Sequence, residues 1–220
     1  EDLLVLMKKE QSFYYSTISC DERGMTEYLF NITATLFKEA IENTPIIPAI
    51  KDAESLEQCL KSDACVIFIL FGDICNIAEI VERIKAEGKL AMVHMDLIAG
   101  LGSKEVSVDY IKERTKADGI ITTKPMLAKH ARELGLATVL RFFIIDSMAL
   151  SNLSKQTREA RPDCIEVLPG VMPKIIRKIT GENKTPLIAG GLISDKEDVC
   201  NALDAGAVAV SSTNAKIWFL

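Results

Sequence analysis

The sequence has no long apolar segment and no pattern of metal-binding residues. None of its apolar runs approaches the roughly 18 residues that a membrane-spanning helix requires, so a membrane-embedded protein is excluded. Its six cysteines include no Cys-x-x-Cys pair, and only His94 and His130 could join them as imidazole ligands. These absences predict a reduced, cytoplasmic protein with no disulfide and no bound metal.

The sequence also has no excess of positively charged residues. The formal net charge is −5 over 220 residues, which argues against a generally basic nucleic-acid-binding surface but leaves room for a local basic patch. The aromatic signatures and glycine-loop clamps of the common RNA-binding modules are absent too. Binding to RNA would therefore have to depend on a local cluster of lysines and arginines.

The first residues have no readable pattern. No small-residue cleavage site follows the apolar residues 3–7, so a signal peptide is not expected. Met25 is a candidate start residue, whereas Glu1 is not. We interpret residues 1–24 as an N-terminal extension of unknown role and residues 25–220 as a single domain, because no composition break or low-complexity linker interrupts the latter.

From residue 26 onward, helical and apolar patterns alternate. In residues 26–42 apolar side chains recur at steps of three and four, which predicts a helix that would cover the N-terminal end of a barrel. After Pro45, continuous Val/Ile/Leu runs are separated by helical patterns, as is typical of a parallel sheet buried on both faces. The predicted strands are residues 46–50, 65–71, 90–95, 119–121, 137–145, 164–167, 187–189 and 207–210. Eight such units favour a (β/α)8 TIM barrel, with an open doubly wound sheet as the alternative.

Polar residues collect where these predicted strands end, which is where the functional side chains of such barrels gather. His94 and Asp96 share one face of a strand, and they could contact ligand hydroxyls or act as an acid–base pair. The alternative is a core histidine beside a helix-starting aspartate. Lys124 could neutralise a phosphate or form a Schiff base, or it could simply be exposed to solvent. Glu166 ends an apolar strand, so a ligand hydroxyl, Lys124 or Arg141 is expected to pair with it.

Two short motifs follow the last two predicted strands. Gly190 and Gly191 allow a tight turn and a close approach of the backbone to a ligand. Ser211 and Ser212 precede a predicted short helix, whose free N–H groups would favour an anion. In (β/α)8 barrels the loops after strands 7 and 8, with a short extra helix, frequently form a phosphate site. These motifs therefore indicate either a phosphate cradle or an ordinary pair of βα turns.

Several sequence blocks together resemble the glycerol-3-phosphate-responsive antiterminator family, over roughly residues 46–218. The blocks are ILFGDI (69–74), VHMDLI (93–98), GIITTK (119–124), RFFIIDS (141–147), IEVLPG (165–170), IAGGLI (188–193) and AVSSTN (209–214). The resemblance implies a TIM-barrel regulator that binds glycerol 3-phosphate and acts on the leader mRNA of glycerol-utilisation genes. It further implies that the protein is not an enzyme and needs no cofactor besides this effector. Homo-oligomerisation is left open.

The resemblance also implies roles for individual residues. By position, Gly190, Gly191, Ser211 and Ser212 would hold the phosphate. The glycerol end would be lined by Asp96, Lys124 and Glu166, with His94 and Arg141 as neighbours.

The RNA-binding surface is expected on two consecutive helices outside the barrel. The candidate residues are Lys155, Arg158, Lys174 and Arg177, because phosphate neutralisation dominates RNA affinity. An ordinary solvated helix face is the alternative. For the protein as a whole, the alternative function is a phosphosugar isomerase or aldolase that uses Lys124, His94 and Glu166.

Overall fold

The computed structural model describes residues 22–220, with side chains from residue 33 onward. The predicted N-terminal extension therefore lies almost entirely outside the described residues. Eight parallel strands form a closed barrel in sequence order, and β8 pairs with β1 through partners such as Ser212 and Pro48. Closure confirms the (β/α)8 prediction and excludes the open doubly wound sheet. The strands are β1 Ile46–Ile50, β2 Val66–Ile69, β3 Leu90–His94, β4 Gly119–Thr122, β5 Ala137–Phe143, β6 Cys164–Leu168, β7 Leu187–Gly190 and β8 Ala209–Ser212.

One helix precedes the barrel, and one follows each of the strands β1 to β7. The helices in the described residues are α1 Glu22–Asn43, α2 Ala53–Cys59, α3 Ile77–Ala86, α4 Glu105–Arg114, α5 Pro125–Glu133, α6 Ser147–Ala160, α7 Pro173–Glu182 and α8 Lys196–Asp204. Several of them begin at an aspartate that follows a strand. Asp52, Asp146 and Asp195 each accept a hydrogen bond from a backbone N–H in the first turn, which satisfies a donor that the helix leaves free.

Some strand boundaries differ from the predicted ones. The strands predicted at 65–71 and 137–145 are shorter, because apolar residues continue past the hydrogen-bonded ladder into the loops. The last strand is shifted from 207–210 to Ala209–Ser212. Its two serines are buried within the strand, and the Ser211 and Ser212 hydroxyls both donate hydrogen bonds inside the protein. A polar strand end is stable there because its polar groups have partners.

The prediction of a short helix after β8 is wrong. The last residues instead form consecutive turns, in which the N–H groups of Ile217, Trp218 and Leu220 donate to the carbonyls three residues earlier. Ile217 and Trp218 are buried there. This short segment packs against the barrel, and it offers no helix N-terminus to a ligand.

Helix α1 packs against the N-terminal end of the barrel, as predicted. Phe37, Ala40 and Ile41 are buried in one cluster with side chains that point into the barrel from the first residues of the strands, among them Val66 and Leu90. Leu36, on the same helix, is only half-buried. The apolar stripe of α1 therefore enters the barrel end mainly through Phe37.

Candidate functional site

A cavity of about 380 Å³ opens at the carboxyl ends of the strands. Two loops form most of its wall, residues 191–194 after β7 and residues 211–214 at the end of β8. The remaining lining residues are Ala49, Leu70, Arg141, Glu166 and Leu168. A concave pocket at this end of a (β/α)8 barrel, with few polar groups among apolar walls, is the usual form of a small-molecule site.

The two loops are joined by hydrogen bonds. The Ser212 hydroxyl donates to the Ile193 carbonyl at 2.9 Å. The Asn214 amide donates to the Ser194 carbonyl at 2.9 Å. Below them, the Trp218 indole N–H donates to the Ser212 carbonyl at 2.8 Å. These contacts hold the rim in one shape, so a ligand meets a largely preformed site.

The rim presents free backbone donors. Gly191 and Leu192 both have positive φ, at 74° and 63°, and left-handed backbone of this kind can turn successive N–H groups toward one anion. Within the described residues, the N–H groups of Gly191, Leu192 and Thr213 donate no hydrogen bond. This geometry suits a phosphate, although the donors are backbone groups and not the serine hydroxyls.

Gly190 serves the site in a different way from Gly191. A Cβ on Gly190 would lie 2.5 Å from Glu166 Oε1 and 2.6 Å from Ser211 Oγ. A side chain at this position would therefore displace the carboxylate or the hydroxyl. Glycine is required here so that β7 can pass directly beside the buried Glu166.

The floor of the site is a buried ionic network. Glu166 has no solvent exposure, and Arg141 is 7% exposed. Arg141 Nε donates to Glu166 Oε2 at 2.5 Å, and Ser211 Oγ donates to Glu166 Oε1 at 2.5 Å. Of the partners considered for Glu166, the structure therefore shows Arg141. A buried carboxylate needs such compensation, because leaving it unpaired in a low dielectric is costly.

His94 is a buried imidazole at the end of β3. It is 2% exposed, and its Nδ1 has no hydrogen-bond partner among the described residues. Burial, reinforced by the positive charge of Arg141, lowers the pKa of His94 to about 4. The ring is therefore neutral at physiological pH, with one nitrogen a donor and the other an acceptor.

Asp96 and Lys124 pair with each other. The Lys124 ammonium contacts the Asp96 carboxylate, which also accepts hydrogen bonds from the backbone N–H and hydroxyl of Thr123 and from the Thr122 hydroxyl. Burial acts to raise the pKa of Asp96, but the hydrogen bonds from Lys124 and Thr123 outweigh it and hold the pKa below its ordinary value. This cluster joins the β3 and β4 loops.

The structure brings only part of the predicted site together. Arg141, Glu166, Gly191, Ser211 and Ser212 line the cavity. Three residues expected at or near the glycerol end are not among the lining residues, namely His94, Asp96 and Lys124. Gly190 does not line the cavity, but its lack of a side chain leaves room for Glu166 and Ser211 at the cavity floor.

Sequence reasoning did not single out the rim residues Leu192, Ser194, Thr213 and Asn214. Each directly follows or closely neighbours one of the two motifs that it did identify. Ser194 and Asn214 join the two loops through a hydrogen bond, whereas Leu192 and Thr213 leave their N–H groups free. Adjacency in sequence reveals neither property.

The four candidate RNA-binding residues lie on the outside of the barrel. Lys155 and Arg158 are on α6, Lys174 and Arg177 are on α7, and all four are exposed. Within the part of the chain that the structure describes, these four side chains form one ion pair, a loose one of 4.0 Å between Lys155 and Glu159. The side chains are therefore available to bind a polyanion.

Three further features concern metal, membrane and disulfide chemistry. Among the side chains that the structure describes, which begin at residue 33, no group of three or more His, Cys, Asp or Glu is arranged to hold a metal ion. Within residues 22–220, no helix has the length and apolar character required to cross a lipid bilayer. The five cysteines in this range are free thiols.

The closed parallel barrel and its pocket place this protein among the (β/α)8 barrels with a ligand site at the carboxyl ends of the strands. The family model described as glycerol-3-phosphate responsive antiterminator matches residues 46–218. The chain belongs to that family.

One curated relative and two solved structures are similar to this chain, and the two structures are described as antiterminator proteins. The chain is 46% identical over 180 residues to uncharacterized protein YgcP of Escherichia coli (strain K12), which covers 82% of this chain and 94% of that protein. The solved structure of the glycerol uptake operon antiterminator regulatory protein from Listeria monocytogenes is similar with a TM-score of 0.78 at 32% identity, covering 80% of this chain and 95% of that one. A glycerol uptake operon antiterminator-related protein from Thermotoga maritima has a TM-score of 0.70 at 35% identity, covering 79% and 96%.

Proposed function

We propose that this protein senses glycerol 3-phosphate and acts in the cytoplasm as a transcription antiterminator that binds the leader mRNA of glycerol-utilisation genes. One observation carries the ligand half of the proposal. In a member of this family, the cavity at the strand ends combines free N–H groups of Gly191, Leu192 and Thr213 with a buried polar floor. Free N–H groups favour an anion, and a polar floor favours hydroxyl groups.

The RNA half of the proposal is supported by charge distribution. The net charge of the chain is −5, yet the exposed residues Lys155, Arg158, Lys174 and Arg177 lie on two successive outer helices. A polyanion is attracted by such a local concentration of positive charge, because neutralised phosphates release their counterions. This face is separate from the cavity, so ligand and RNA can bind at the same time.

A sensor is favoured over a Schiff-base aldolase by the position of Lys124. A Schiff-base lysine must reach the ligand, whereas Lys124 pairs with the Asp96 carboxylate and does not line the cavity. Incubation of the protein with glycerol 3-phosphate and with triose phosphates tests this directly, and turnover of any of them would favour the enzyme.

The central experiment measures binding to both proposed partners. Glycerol 3-phosphate at a hundredfold excess over its Kd should stabilise the fold by about 2.7 kcal/mol, because it binds the native state alone. Glycerol should produce a much smaller shift, since it lacks the anion. Affinity for leader RNA should then change when glycerol 3-phosphate is added. Equal melting shifts from the two ligands, or RNA affinity that ignores the ligand, would contradict the proposal.

A further inference from the structure

The charges that line the cavity are few. Among the described lining residues, Arg141 is the only basic side chain and Glu166 the only acidic one. The hydroxyls of Ser211 and Ser212 already donate hydrogen bonds, to Glu166 and to the Ile193 carbonyl. Lys124, the other cation expected near the ligand, pairs with Asp96 and does not line the cavity. A phosphate entering this space therefore meets one positive charge from the protein.

The geometry of Arg141 leaves most of its guanidinium group available. Its Nε donates to Glu166, and the described residues accept no other hydrogen bond from its side chain. A guanidinium has five N–H donors in a rigid plane, of which this contact uses one. The two Nη groups form the part of the fork that suits two oxygens of one phosphate.

Glu166 fixes the direction of this fork. Its carboxylate has no solvent exposure, and it is held on its other oxygen by Ser211. The absence of a side chain on Gly190 lets β7 approach it. Glu166 is therefore too enclosed to be the first group that a ligand contacts, and it acts through Arg141.

We infer that Arg141 is the charge partner of the ligand's phosphate and that Glu166 is its positioning residue, so that the anion is bound between the guanidinium and the rim N–H groups. This inference rests on the proposed function, and it reassigns the phosphate contact from the serine hydroxyls to Arg141. The same arrangement explains selection for a phosphorylated ligand: glycerol offers the Nη groups only neutral hydroxyl oxygens, which accept weaker hydrogen bonds than the charged oxygens of a phosphate.

The test uses calorimetry with glycerol 3-phosphate on the full chain. Arg141→Gln alone leaves a buried carboxylate without its partner and can fail to fold, so the decisive variant is the double one, Arg141→Gln with Glu166→Gln. Two neutral amides can hydrogen-bond to each other in place of the ion pair. We expect this variant to melt cooperatively and to bind glycerol 3-phosphate about 10- to 100-fold more weakly, as loss of a hydrogen bond to a charged group predicts.

A second variant separates charge from shape. Arg141→Lys retains the positive charge but loses the planar fork, and its affinity should fall between those of the wild type and the double variant. Arg114→Gln, which removes a positive charge from the exposed end of α4, should bind like the wild type. If the wild type binds glycerol 3-phosphate and the folded double variant binds it within threefold, the inference is overturned. If the wild type itself does not bind, the proposed function fails instead.

Discussion

Arg141 and Glu166 lie directly opposite each other on β5 and β6, and Arg141 Nε donates to Glu166 Oε2 at 2.5 Å. Both side chains point into the barrel just above its apolar interior. Burial of such a pair adds little net stability, because desolvation offsets most of the attraction. Removing one partner is different, since the other charge then remains buried and uncompensated.

The first prediction concerns this pair. Arg141→Gln should lower the free energy of unfolding by about 3–5 kcal/mol, whereas the double variant with Glu166→Gln should recover most of that loss. Urea denaturation of the wild type, the two single variants and the double variant measures the coupling between the residues. Strictly additive effects would show that the two side chains do not interact in solution.

The second prediction compares two glycines. Gly190→Ala should destabilise the protein by about 1–3 kcal/mol, because its Cβ would lie 2.5 Å from Glu166 Oε1. Gly181→Ala is the matched control: it is in helix α7 and a Cβ there meets nothing within 4 Å. It should raise stability by about 0.4–1 kcal/mol, since alanine restricts the unfolded chain. Equal effects at both positions would contradict the described packing of β7.

The third prediction concerns the helix that covers the barrel end. Phe37→Ala should cost about 3–5 kcal/mol, because Phe37 is fully buried among the barrel residues. Leu36→Ala, one residue away and only half-buried, should cost clearly less. Chemical denaturation midpoints distinguish the two. Similar small losses would mean that α1 is not docked as described.

The fourth prediction is a pH dependence of stability due to His94. Its pKa is lowered to about 4 in the folded state, from an unfolded value near 6.5. Between pH 4 and pH 6.5 the imidazole binds a proton in the unfolded chain but not in the folded protein. The contribution of His94 to the free energy of unfolding is therefore fully present above about pH 6.5 and is lost as the pH falls toward 4. Near pH 4 the lost free energy of unfolding approaches roughly 3 kcal/mol, because each unit of pKa difference corresponds to about 1.4 kcal/mol.

The comparison that isolates this effect is His94→Gln, which does not titrate. Urea denaturation at several values between pH 7.5 and pH 4.5 should show a flatter profile for the variant than for the wild type. Carboxylates such as Asp118 titrate in both proteins and cancel in the difference. Parallel profiles would show that His94 is not buried in its neutral form.

The fifth prediction concerns the basic face of α6 and α7. Alanine at Lys155, Arg158, Lys174 and Arg177 should weaken leader RNA binding, and each lost phosphate contact should reduce the log–log salt slope by roughly 0.7–0.9. Glycerol 3-phosphate binding should be unchanged. The control variant carries alanine at four other exposed positions, Lys61, Lys104, Arg114 and Lys116, and should retain the full slope. An unchanged slope in the first variant would mean that RNA binds elsewhere.

Much of the barrel could be predicted from local pattern. Continuous apolar runs separated by helical stripes require a parallel sheet covered on both faces, and eight of them in one chain favour closure. The predicted ends of the strands were less accurate, because an apolar side chain is equally stable in a hydrogen-bonded strand or in a buried loop. The stretch after β8 illustrates this, since Ile217 and Trp218 are buried in turns where a helix was predicted.

The site was predicted in part for the same reason. Residues at strand ends in a parallel barrel share one rim, which placed Arg141, Glu166, Gly191 and the two serines together. Which of them would pair was decided by three-dimensional neighbours. Asp96 pairs with Lys124 on the adjacent loop, and neither residue lines the cavity.

The sequence by itself predicted the class of fold from its periodicity and the order of its strands, and it predicted the family from the resemblance of several sequence blocks. It also predicted that polar residues gather at the carboxyl ends of the strands. Only the tertiary structure decided which polar groups remain free. Ser211 and Ser212 look like phosphate ligands in sequence, but the fold directs their hydroxyls to Glu166 and to the Ile193 carbonyl. Hydrogen bonds between residues far apart in sequence satisfy these groups first, and what they leave unsatisfied, the rim N–H groups and the Arg141 fork, is what a ligand can bind.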